Sequence, residues 1–369
     1  MSVEGQPSFS VPPPLGLADP TARPAYAGYS GFVTYEATLG GALKKYLLRA
    51  DRCSLKGTQA IDTVKDIDGS IDSTRYALKS FEVNGDVSFN LDSAPDSVGY
   101  KAFAQLYSDT VLRSADGRLK IREVPGSRNM LVRYNSEVSY RYLDIVPSKM
   151  SIECAAGEAL RVSVSFMGRG REGPFDGTTA VMGDGLGATV DGSVNVAPVR
   201  VVTYNDVTID IESAPISTGV VVNTPPSITR LPLVKSFKVD IDNAVEAVHT
   251  LSGTLAAYDL VAKKRTISGS ITFLGRNRDI GDYALYNEIG QTSRANLLFN
   301  VRFGNVTKTL FKLRGVVFKI ESMDLTNDVL NSTMDFMALG DQAFNYEAIS
   351  ALETPNTSAN GSQHPYPFV

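Results

Sequence analysis

Histidine and cysteine are scarce in this chain, and their scarcity limits the chemistry that it could perform. The 369 residues include only two of each, His249 and His364, and Cys53 and Cys154. A structural zinc site uses paired ligands at spacings such as C-x₂₋₄-C and H-x₃₋₅-H, and the sequence has neither spacing. Both cysteines lie in strand-like segments, where a free thiol packs as a small apolar group. We therefore predict no metal site, no disulfide and no cofactor.

Hydrolytic and phosphate-binding chemistry also lack the residues that they need. A Ser-His-Asp triad would have to use His249, because His364 lies in a proline-containing tail. His249 ends a strand pattern in AVHTLSG, which predicts a surface or interface histidine. The segment 183–187 (GDGLG) is followed by no Lys-Ser or Lys-Thr and by no helical pattern, so we predict a turn there.

Glycoside hydrolysis needs a pair of carboxylic acids, and the 40 acidic residues leave such a pair open. Carbohydrate clefts commonly stack sugars on aromatic platforms, however, and the chain has no tryptophan. We predict that the protein is not an enzyme and has no catalytic residues.

Two groups of charged residues have informative spacing. Asp240, Asp242 and Glu246 alternate with apolar residues in FKVDIDNAVEAV, so they belong to the polar face of a predicted strand. Arg276 and Arg278, in GRNRD, precede a predicted helix. They belong either to an exposed loop or to a salt bridge across a subunit boundary.

The composition excludes several classes of protein. Charged residues make up 21% of the chain and hydrophobic residues 43%, which is ordinary for a globular protein. The net charge of −4 does not predict a basic nucleic-acid-binding surface. No apolar run approaches the roughly 20 residues that cross a bilayer. The start, MSVEGQPSFSVPPP, lacks the pattern of a secretory signal, so we expect a soluble protein made in the cytoplasm.

Alternation of apolar and polar residues predicts strands in most of the chain. The first half has a predicted short helix within 98–107 and predicted strands at 31–38, 45–55, 79–92, 118–123, 130–146, 148–154 and 158–167. The second half has a predicted short helix at 281–290 and predicted strands at 199–213, 233–249, 296–303, 308–321 and 328–338. We predict a long Asp-rich loop at 57–75 and a glycine-rich stretch without regular packing at 168–200.

The two halves carry the same pattern. Residues 83–103 align with 267–286, and the best-matched positions are Val83 with Ile267, Gly85 with Gly269, Val87 with Ile271, Phe89 with Phe273 and Tyr100 with Tyr283. Later, Phe166 and Met167 align with Phe336 and Met337, Leu160 with Leu330, Ile152 with Ser322 and Met150 with Ile320. An internal duplication indicates a symmetric structural unit.

The predicted organisation follows from this repeat. The fold class is mainly β (α+β), with two tandem antiparallel β-sandwich or barrel domains that each contain one short helix. The predicted boundaries are an extended arm at 1–30, domain 1 at 31–168, a glycine-rich linker or protruding loop at 169–198, domain 2 at 199–347 and a tail at 348–369. Phe89, Phe166, Phe273 and Phe336 are predicted to fill the two domain cores.

The order of elements and several segments resemble bacteriophage tail tube proteins, the major tail proteins, and the related tubes of contractile injection systems. In the second half the resemblance lies in FKVDIDNAVEAV, KRTISGSITFLGRNRDIGDYALYNEIG and FKLRGVVFKIESMDLTNDVLNSTMDFMALG. In the first half it lies in KSFEVNGDVSFNLD, YKAFAQLY and MSIECAAGEALRVSVSFMG. The Asp-rich loop and the glycine-rich insertion have no evident place in that family.

The resemblance implies a structural role in the virion. Tail tube proteins stack as rings around a lumen through which DNA passes, usually with six single-domain subunits per ring. Two tube domains in one chain would make a homotrimer a pseudo-hexameric ring. The implied partners are further copies, the tape measure, baseplate and terminator proteins, possibly a sheath, and double-stranded DNA that transits without specific binding. The protein would assemble in the host cytoplasm and reside in the tail, with no membrane insertion.

The resemblance also gives the charged residues a role. Asp240, Asp242 and Glu246 would face the lumen, where carboxylates repel a polyanion; the alternative is an ordinary solvated strand face. Arg276 and Arg278 are candidate subunit-interface residues. Two other functions are open: a distal tail, tube-initiator or baseplate ring protein with the same layout, and a β-sandwich ligand-binding module.

Overall fold

A computed structural model describes the β-rich body of the chain in thirteen segments. These are 32–39, 42–64, 75–95, 97–111, 128–134, 138–175, 199–213, 228–251, 254–263, 265–275, 295–304, 306–326 and 329–338. The predicted arm at 1–30, the strand at 118–123, the helix at 281–290 and the tail at 348–369 lie outside these segments.

The first half contains ten strands and a helix. They are β1 (Phe32–Leu39), β2 (Ala42–Leu48), β3 (Ala50–Cys53), β4 (Lys56–Val64), β5 (Arg75–Asn90), α1 (Val98–Val111), β6 (Arg128–Arg133), β7 (Ser139–Leu143), β8 (Val146–Ala155), β9 (Arg161–Gly168) and β10 (Gly170–Phe175).

The second half contains nine strands and a short 3-10 turn at Tyr204–Asp206. The strands are β11 (Val207–Ser213), β12 (Ile228–Arg230), β13 (Val234–Asp242), β14 (Val245–Val248), β15 (Asp259–Ala262), β16 (Thr266–Leu274), β17 (Ala295–Phe303), β18 (Val306–Thr326) and β19 (Val329–Ala338). The mainly β, antiparallel fold class predicted from the sequence is confirmed, with one α-helix in the segments that the structure describes.

One large sheet runs through both halves. Its strands follow the order β12-β11-β17-β18-β19-β16-β13-β8-β9-β5-β3, and β4 continues beyond β3 along β5. The halves meet where β8 pairs with β13. A second sheet, β10-β7-β6-β1-β2, packs over the first-half part of the large sheet, while β14 and β15 form a separate hairpin.

The core lies between these layers and is continuous across both halves. Phe89, Phe166, Phe273 and Phe336 are all buried and belong to one cluster of apolar side chains. Alternation along the strands explains the burial. Positions of β9, for example, are buried at every second residue from Val162 to Gly168, as expected for a strand with one face on a core.

Helix α1 packs its aromatic residues into this core. Tyr100, Phe103 and Tyr107 are fully buried, and the Ser97 hydroxyl caps the helix by accepting the Tyr100 N–H at 3.1 Å. The C-terminal end is bound by the second half. The Thr110 carbonyl accepts the Asn243 amide at 2.8 Å and the Arg265 guanidinium at 3.2 Å. The predicted helix at 98–107 is therefore confirmed, and the helix extends to Val111.

A buried ion pair joins α1 to the second sheet. Arg128 of β6 contacts Asp109 at 2.9 Å, and both side chains are less than one tenth exposed. The Tyr35 hydroxyl donates to the same carboxylate at 2.7 Å. Burial, together with Asp109, raises the pKa of Tyr35 well above its usual value, so the hydroxyl stays a donor. The cluster fixes the helix on its sheet.

Two predictions about loops are wrong in part. Residues 57–64 of the expected Asp-rich loop belong to β4, which pairs with β5. Its side chains from Thr58 to Ile61 are exposed, so this part of the strand has no apolar face for a sequence pattern to reveal. In the glycine-rich stretch, Gly170–Phe175 form β10 and pair with β7. Residues 171–174 are exposed and are ordered by backbone pairing at this sheet edge, while Phe175 packs against Leu131.

Candidate assembly surface

The junction between the halves is an antiparallel strand pair with complementary charges. Along β13 and β8, Lys238 lies opposite Glu153, Asp240 opposite Ser151 and Asp242 opposite Lys149. Opposite charges directly across a strand pair stabilise it modestly. The neighbouring core residues Phe237, Val239 and Ile241 are buried, so the charged residues belong to the other face of the sheet.

The structure brings two of the three predicted acidic residues together on that face. Asp240 is 23% exposed and lies 3.7 Å from Lys238 and 3.9 Å from Lys149. Asp242 is exposed, and its carboxylate accepts the Ala244 N–H at 2.8 Å. Glu246 lies on the separate β14–β15 hairpin, where it pairs with Lys263. The lumen assignment of these residues stays a prediction.

Small hydroxyl side chains dominate the rest of this outer face. Ser151 lies opposite Ser163, and Thr272 lies opposite Thr333, on adjacent strands, while Ser165 lies opposite Asp86. Ser165 donates to Asp86 at 2.6 Å, and the two threonine hydroxyls lie 3.1 Å apart. The side chains on this face are therefore short and polar, and they hydrogen-bond to one another.

A buried corner cluster turns the chain from one layer to the other in the first half. Glu36 of β1 is 2% exposed and accepts the Arg141 guanidinium at 2.8 Å. Asn129 lies opposite Glu36, and its side-chain oxygen accepts the Asp144 N–H at 3.1 Å. Asp144 has a φ of 48°, in the left-handed region that few residues other than glycine adopt. The bend separates β7 from β8.

The second half repeats this corner cluster. Glu212 of β11 is 9% exposed and contacts Lys312 at 2.7 Å. Asn296 lies opposite Glu212, donates to it at 2.7 Å, and accepts the Gly315 N–H at 3.1 Å. Gly315 has a φ of 61°. In this half the bend lies inside the long strand β18, whose two ends belong to different layers.

The strand registers of the halves also agree. Gly85 lies opposite Phe166, and Gly269 lies opposite Phe336. Ile61 lies opposite Leu78 in the β4–β5 pair. The residues at the corresponding positions of the second half, Val245 and Ala262, lie opposite each other in the β14–β15 pair. The Asp-rich segment therefore has a counterpart of equal register in the second half. Two alignments need correction, because the pairings match Ile152 to Met323 and not to Ser322, and Met150 to Glu321 and not to Ile320.

Sequence reasoning missed the corner clusters. Their members lie on three strands that are far apart in the chain, and the spacing between them differs slightly from half to half. The available signal was the recurrence of a basic residue three positions before the bend, as in RYLD and KLRG (141–144 and 312–315). That signal becomes specific only when the opposing asparagines are known.

The residues considered for chemistry do not form a site. His249 is exposed and lies 3.4 Å from Glu82, and Cys53 and Cys154 are free thiols. Within the described segments no three His, Cys, Asp or Glu side chains are grouped to hold a metal ion. In the same segments no helix is long and apolar enough to span a membrane. Arg276 and Arg278 lie outside the described residues, so their predicted interface role stays a prediction.

Comparison with known proteins identifies the family. The family model described as phage tail tube protein matches residues 8–361, nearly the whole chain. The chain belongs to the phage tail tube protein family. No curated protein matches it. Membership makes the protein a structural component of a phage tail, and the repeated corner clusters and the charged seam become features of a tube subunit.

Proposed function

We propose that this protein builds the tube of a phage tail as rings of three copies, each copy supplying two tube domains that arose by duplication. The observation that carries the proposal is the internal seam between β8 and β13, which joins two similarly paired halves edge to edge in one sheet. A sheet that continues from half to half in this way can continue from copy to copy, which removes its exposed edges.

The strand count supports a closed barrel of useful width. Each half contributes four strand positions to the inner layer: β3–β4, β5, β9 and β8 in the first, and β13, β16, β19 and distal β18 in the second. Three copies then give 24 positions. At about 4.8 Å between strands the backbone barrel is roughly 37 Å across before strand tilt widens it. Barrels of 16 to 18 strands already leave an aqueous channel.

The polar face of the joined sheet, which points away from the apolar core, would line that channel. This face carries carboxylates that include Glu82, Asp86, Glu153, Asp240, Asp242 and Asp335, together with cations that include Arg52, Lys56, Lys149, Arg161 and Lys238. The carboxylates repel the phosphate backbone. Lys149 and Lys238 lie beside Asp240, and paired cations release few counterions to DNA. The wall would therefore let DNA slide past without binding it.

Assembly involves no covalent chemistry. Main-chain hydrogen bonds join the edges, and the corner clusters keep the inner and outer layers at a fixed angle as copies add. Stacked rings would contact the tape measure, baseplate and terminator proteins of the same tail, and the tube would reach its place in the virion after assembly in the host cytoplasm.

Negative-stain electron microscopy of the purified protein, before and after concentration, tests the proposal. Hollow tubes or stacked rings with threefold or pseudo-sixfold end views are the expected result. Single closed rings that never stack would favour a distal tail, initiator or baseplate ring. Monomers that stay dispersed at high concentration would contradict the proposal and favour a ligand-binding module.

A further inference from the structure

We propose that neighbouring copies join by pairing residues 320–326 of β18 in one copy with residues 52–58 of β3 and β4 in the next, antiparallel, with Lys56 opposite Ser322. This inference rests on the proposed function, because it specifies the contact that closes the ring. It makes the seam between copies a repeat of the seam within each copy.

In the part of the chain that the structure describes, both edges are open in the single copy. β17 pairs with β18 only from Val306 to Val316, and β19 covers the other side of β18 from Val316 to Thr326. Within the described segments, no strand therefore lies beside 317–326 on the side away from β19. At the opposite end of the large sheet, β3 and β4 pair with β5 alone.

The Ala50–Thr58 edge is the counterpart of β13. Phe237 lies opposite Ile271 and Cys53 lies opposite Val87, and the register slips at the same place in both pairs, between Val234 and Ser236 and between Ala50 and Arg52. Lys56 opposite Asn84 corresponds in the same way to Asp240 opposite Ser268. The same difference in residue number relates each of these first-half positions to its second-half counterpart.

Val317–Thr326 is the counterpart of β8. Ile152 lies opposite Val162, and Met323 lies opposite Ser332. The register slips between Pro147 and Lys149 in one pair and between Phe318 and Glu321 in the other. Ser151 therefore corresponds to Ser322, and Glu153 corresponds to Asp324.

Transferring the known seam gives the register between copies. Within a chain, Asp240 lies opposite Ser151 and Lys238 opposite Glu153. The corresponding pairs between copies are Lys56 with Ser322 and Ser54 with Asp324. Ser54 N–H donates to Asp86 of β5 at 2.8 Å. Because backbone groups alternate in direction along a strand, those of Cys53 and Gly57 point to the open side.

A groove beside the first-half edge has the shape that this partner requires. It has a volume of about 330 Å³ and is lined by Val33, Leu48, Val132 and the edge residues Ala50–Cys53. The related groove beside β13 is smaller, about 150 Å³, and there Cys154 and Ala155 of β8 form part of the wall. The strand segment 325–326 of the neighbour, which corresponds to 154–155 of β8, would supply the missing wall.

Tyrosine hydroxyls protect this edge in the free chain. The Leu55 carbonyl accepts Tyr134 and Tyr142, each at 2.8 Å, which fills both lone pairs of the oxygen. Tyr142 is buried, while Tyr134 is 41% exposed. Docking of β18 would displace the Tyr134 hydroxyl from the Leu55 carbonyl and leave the hydrogen bond from Tyr142 in place. Such covering of an edge acceptor is a recognised defence against premature strand pairing.

Cysteine cross-linking tests the register. Lys56→Cys with Ser322→Cys, in a Cys53→Ser background, is oxidised in assembled protein and run on a non-reducing gel. Directly opposite residues have Cβ atoms about 4.5–5.5 Å apart, close enough for disulfide formation after small adjustment. The expected products are linked dimers and trimers, with no larger species, because three links close a ring.

Two control pairs accompany this variant. Lys56→Cys with Thr326→Cys is offset by four residues along the strand and should not link copies. Asp240→Cys with Ser151→Cys lies across the internal seam and should form a disulfide within one chain, which changes mobility without joining chains. Both controls carry the same number of new thiols as the test variant.

The outcomes separate the register from the function. If tubes form and the offset control links copies while Lys56→Cys with Ser322→Cys does not, the register is wrong but the proposed tube function stands. A ladder that ends at six chains would support the register and overturn the three-copy ring. Failure to assemble under electron microscopy, with no link between chains although the internal control oxidises, would overturn both.

Discussion

A buried glutamate stands at each corner of this fold, although the two are held in different ways. Glu36 binds the guanidinium of Arg141 through two nitrogens, at 2.8 and 3.0 Å. Glu212 is bound by Lys312 and Asn296. Burial alone would raise the pKa of Glu212, but the hydrogen bonds from Lys312 and Asn296 outweigh it and hold that pKa below its usual value.

This pKa makes stability depend on acidity in a defined direction. A carboxyl group whose pKa is lower in the folded than in the unfolded protein stabilises the fold above the unfolded pKa, here 4.5, and loses that contribution as the pH falls through the folded pKa. We expect the free energy of unfolding to fall below about pH 4.5. Glu212→Gln should be less stable at pH 7 and should show a shallower acid limb, measured by urea unfolding.

Glu172→Gln is the matched control, because Glu172 is exposed on β10. It should leave both the neutral stability and the acid limb unchanged. An acid limb for Glu212→Gln that is as steep as that of the unaltered protein would contradict the role assigned to this carboxylate.

Sequence predicted single residues well where one strand decides their environment. Phe237, Val239 and Ile241 are buried and Asp242 is exposed, as alternation along β13 requires. The corner clusters could not be predicted in this way. Glu212, Asn296 and Lys312 meet only because β11, β17 and β18 are neighbours in the sheet, and neighbouring strands are a tertiary property.

At the scale of elements, close approach of strands explains one glycine of the repeat. Gly269 lies between Val239 of β13 and Phe336 of β19. A Cβ atom there would overlap the Lys238 carbonyl oxygen and lie 2.5 Å from Phe336 Cζ. The strand β13 that would have to move also carries the seam between the halves.

Gly269→Ala is therefore expected to lower the free energy of unfolding by about 1–3 kcal/mol or more, the usual range for overpacking. Thermal and urea unfolding measure this loss. Gly170→Ala is the control, since its nearest neighbour would be an ordinary 3.5 Å away; it should change stability by less than about 0.5 kcal/mol. Equal effects of the two substitutions would contradict close packing at the seam.

Elements were predicted best where they have an apolar face. The strand pattern at 79–92 and the helix pattern at 98–107 correspond to β5 and α1. β4 was not predicted because Thr58, Gln59 and Ala60 are all exposed. The segment therefore lacks the apolar–polar alternation that distinguishes a strand from a loop. Its strand conformation comes from pairing with β5, which only the second-half counterpart, β14 with β15, could have suggested.

At the scale of the whole molecule, the charge on the outer face should govern the passage of DNA. Asp240→Lys with Asp242→Lys reverses two charges on the proposed lumen wall. The new lysines lie close to Lys149 and Lys238 and should weaken the seam modestly. Tubes should still form, because the main-chain pairing and the buried Phe237, Val239 and Ile241 remain. They should retain DNA in a salt-dependent way, as counterion release predicts. Filter binding over a series of salt concentrations measures the retention.

Glu172→Lys with Glu158→Lys changes the net charge by the same amount at exposed positions outside β13. This control should retain little DNA if the outer face of the joined sheet is the lumen wall. Equal retention by both variants would mean that net charge alone decides, and would contradict the lumen assignment of Asp240 and Asp242.

The seam between β8 and β13 also has a kinetic consequence. In a ring of three copies, half of the six seams already exist when each chain has folded, so ring closure depends on the meeting of three molecules and not of six. The rate of spontaneous nucleation then falls less steeply as subunits become dilute. A subunit of this kind can nucleate a tube at a concentration where a single-domain subunit would need a template. Covering the edge at Leu55 before assembly therefore matters more for this subunit.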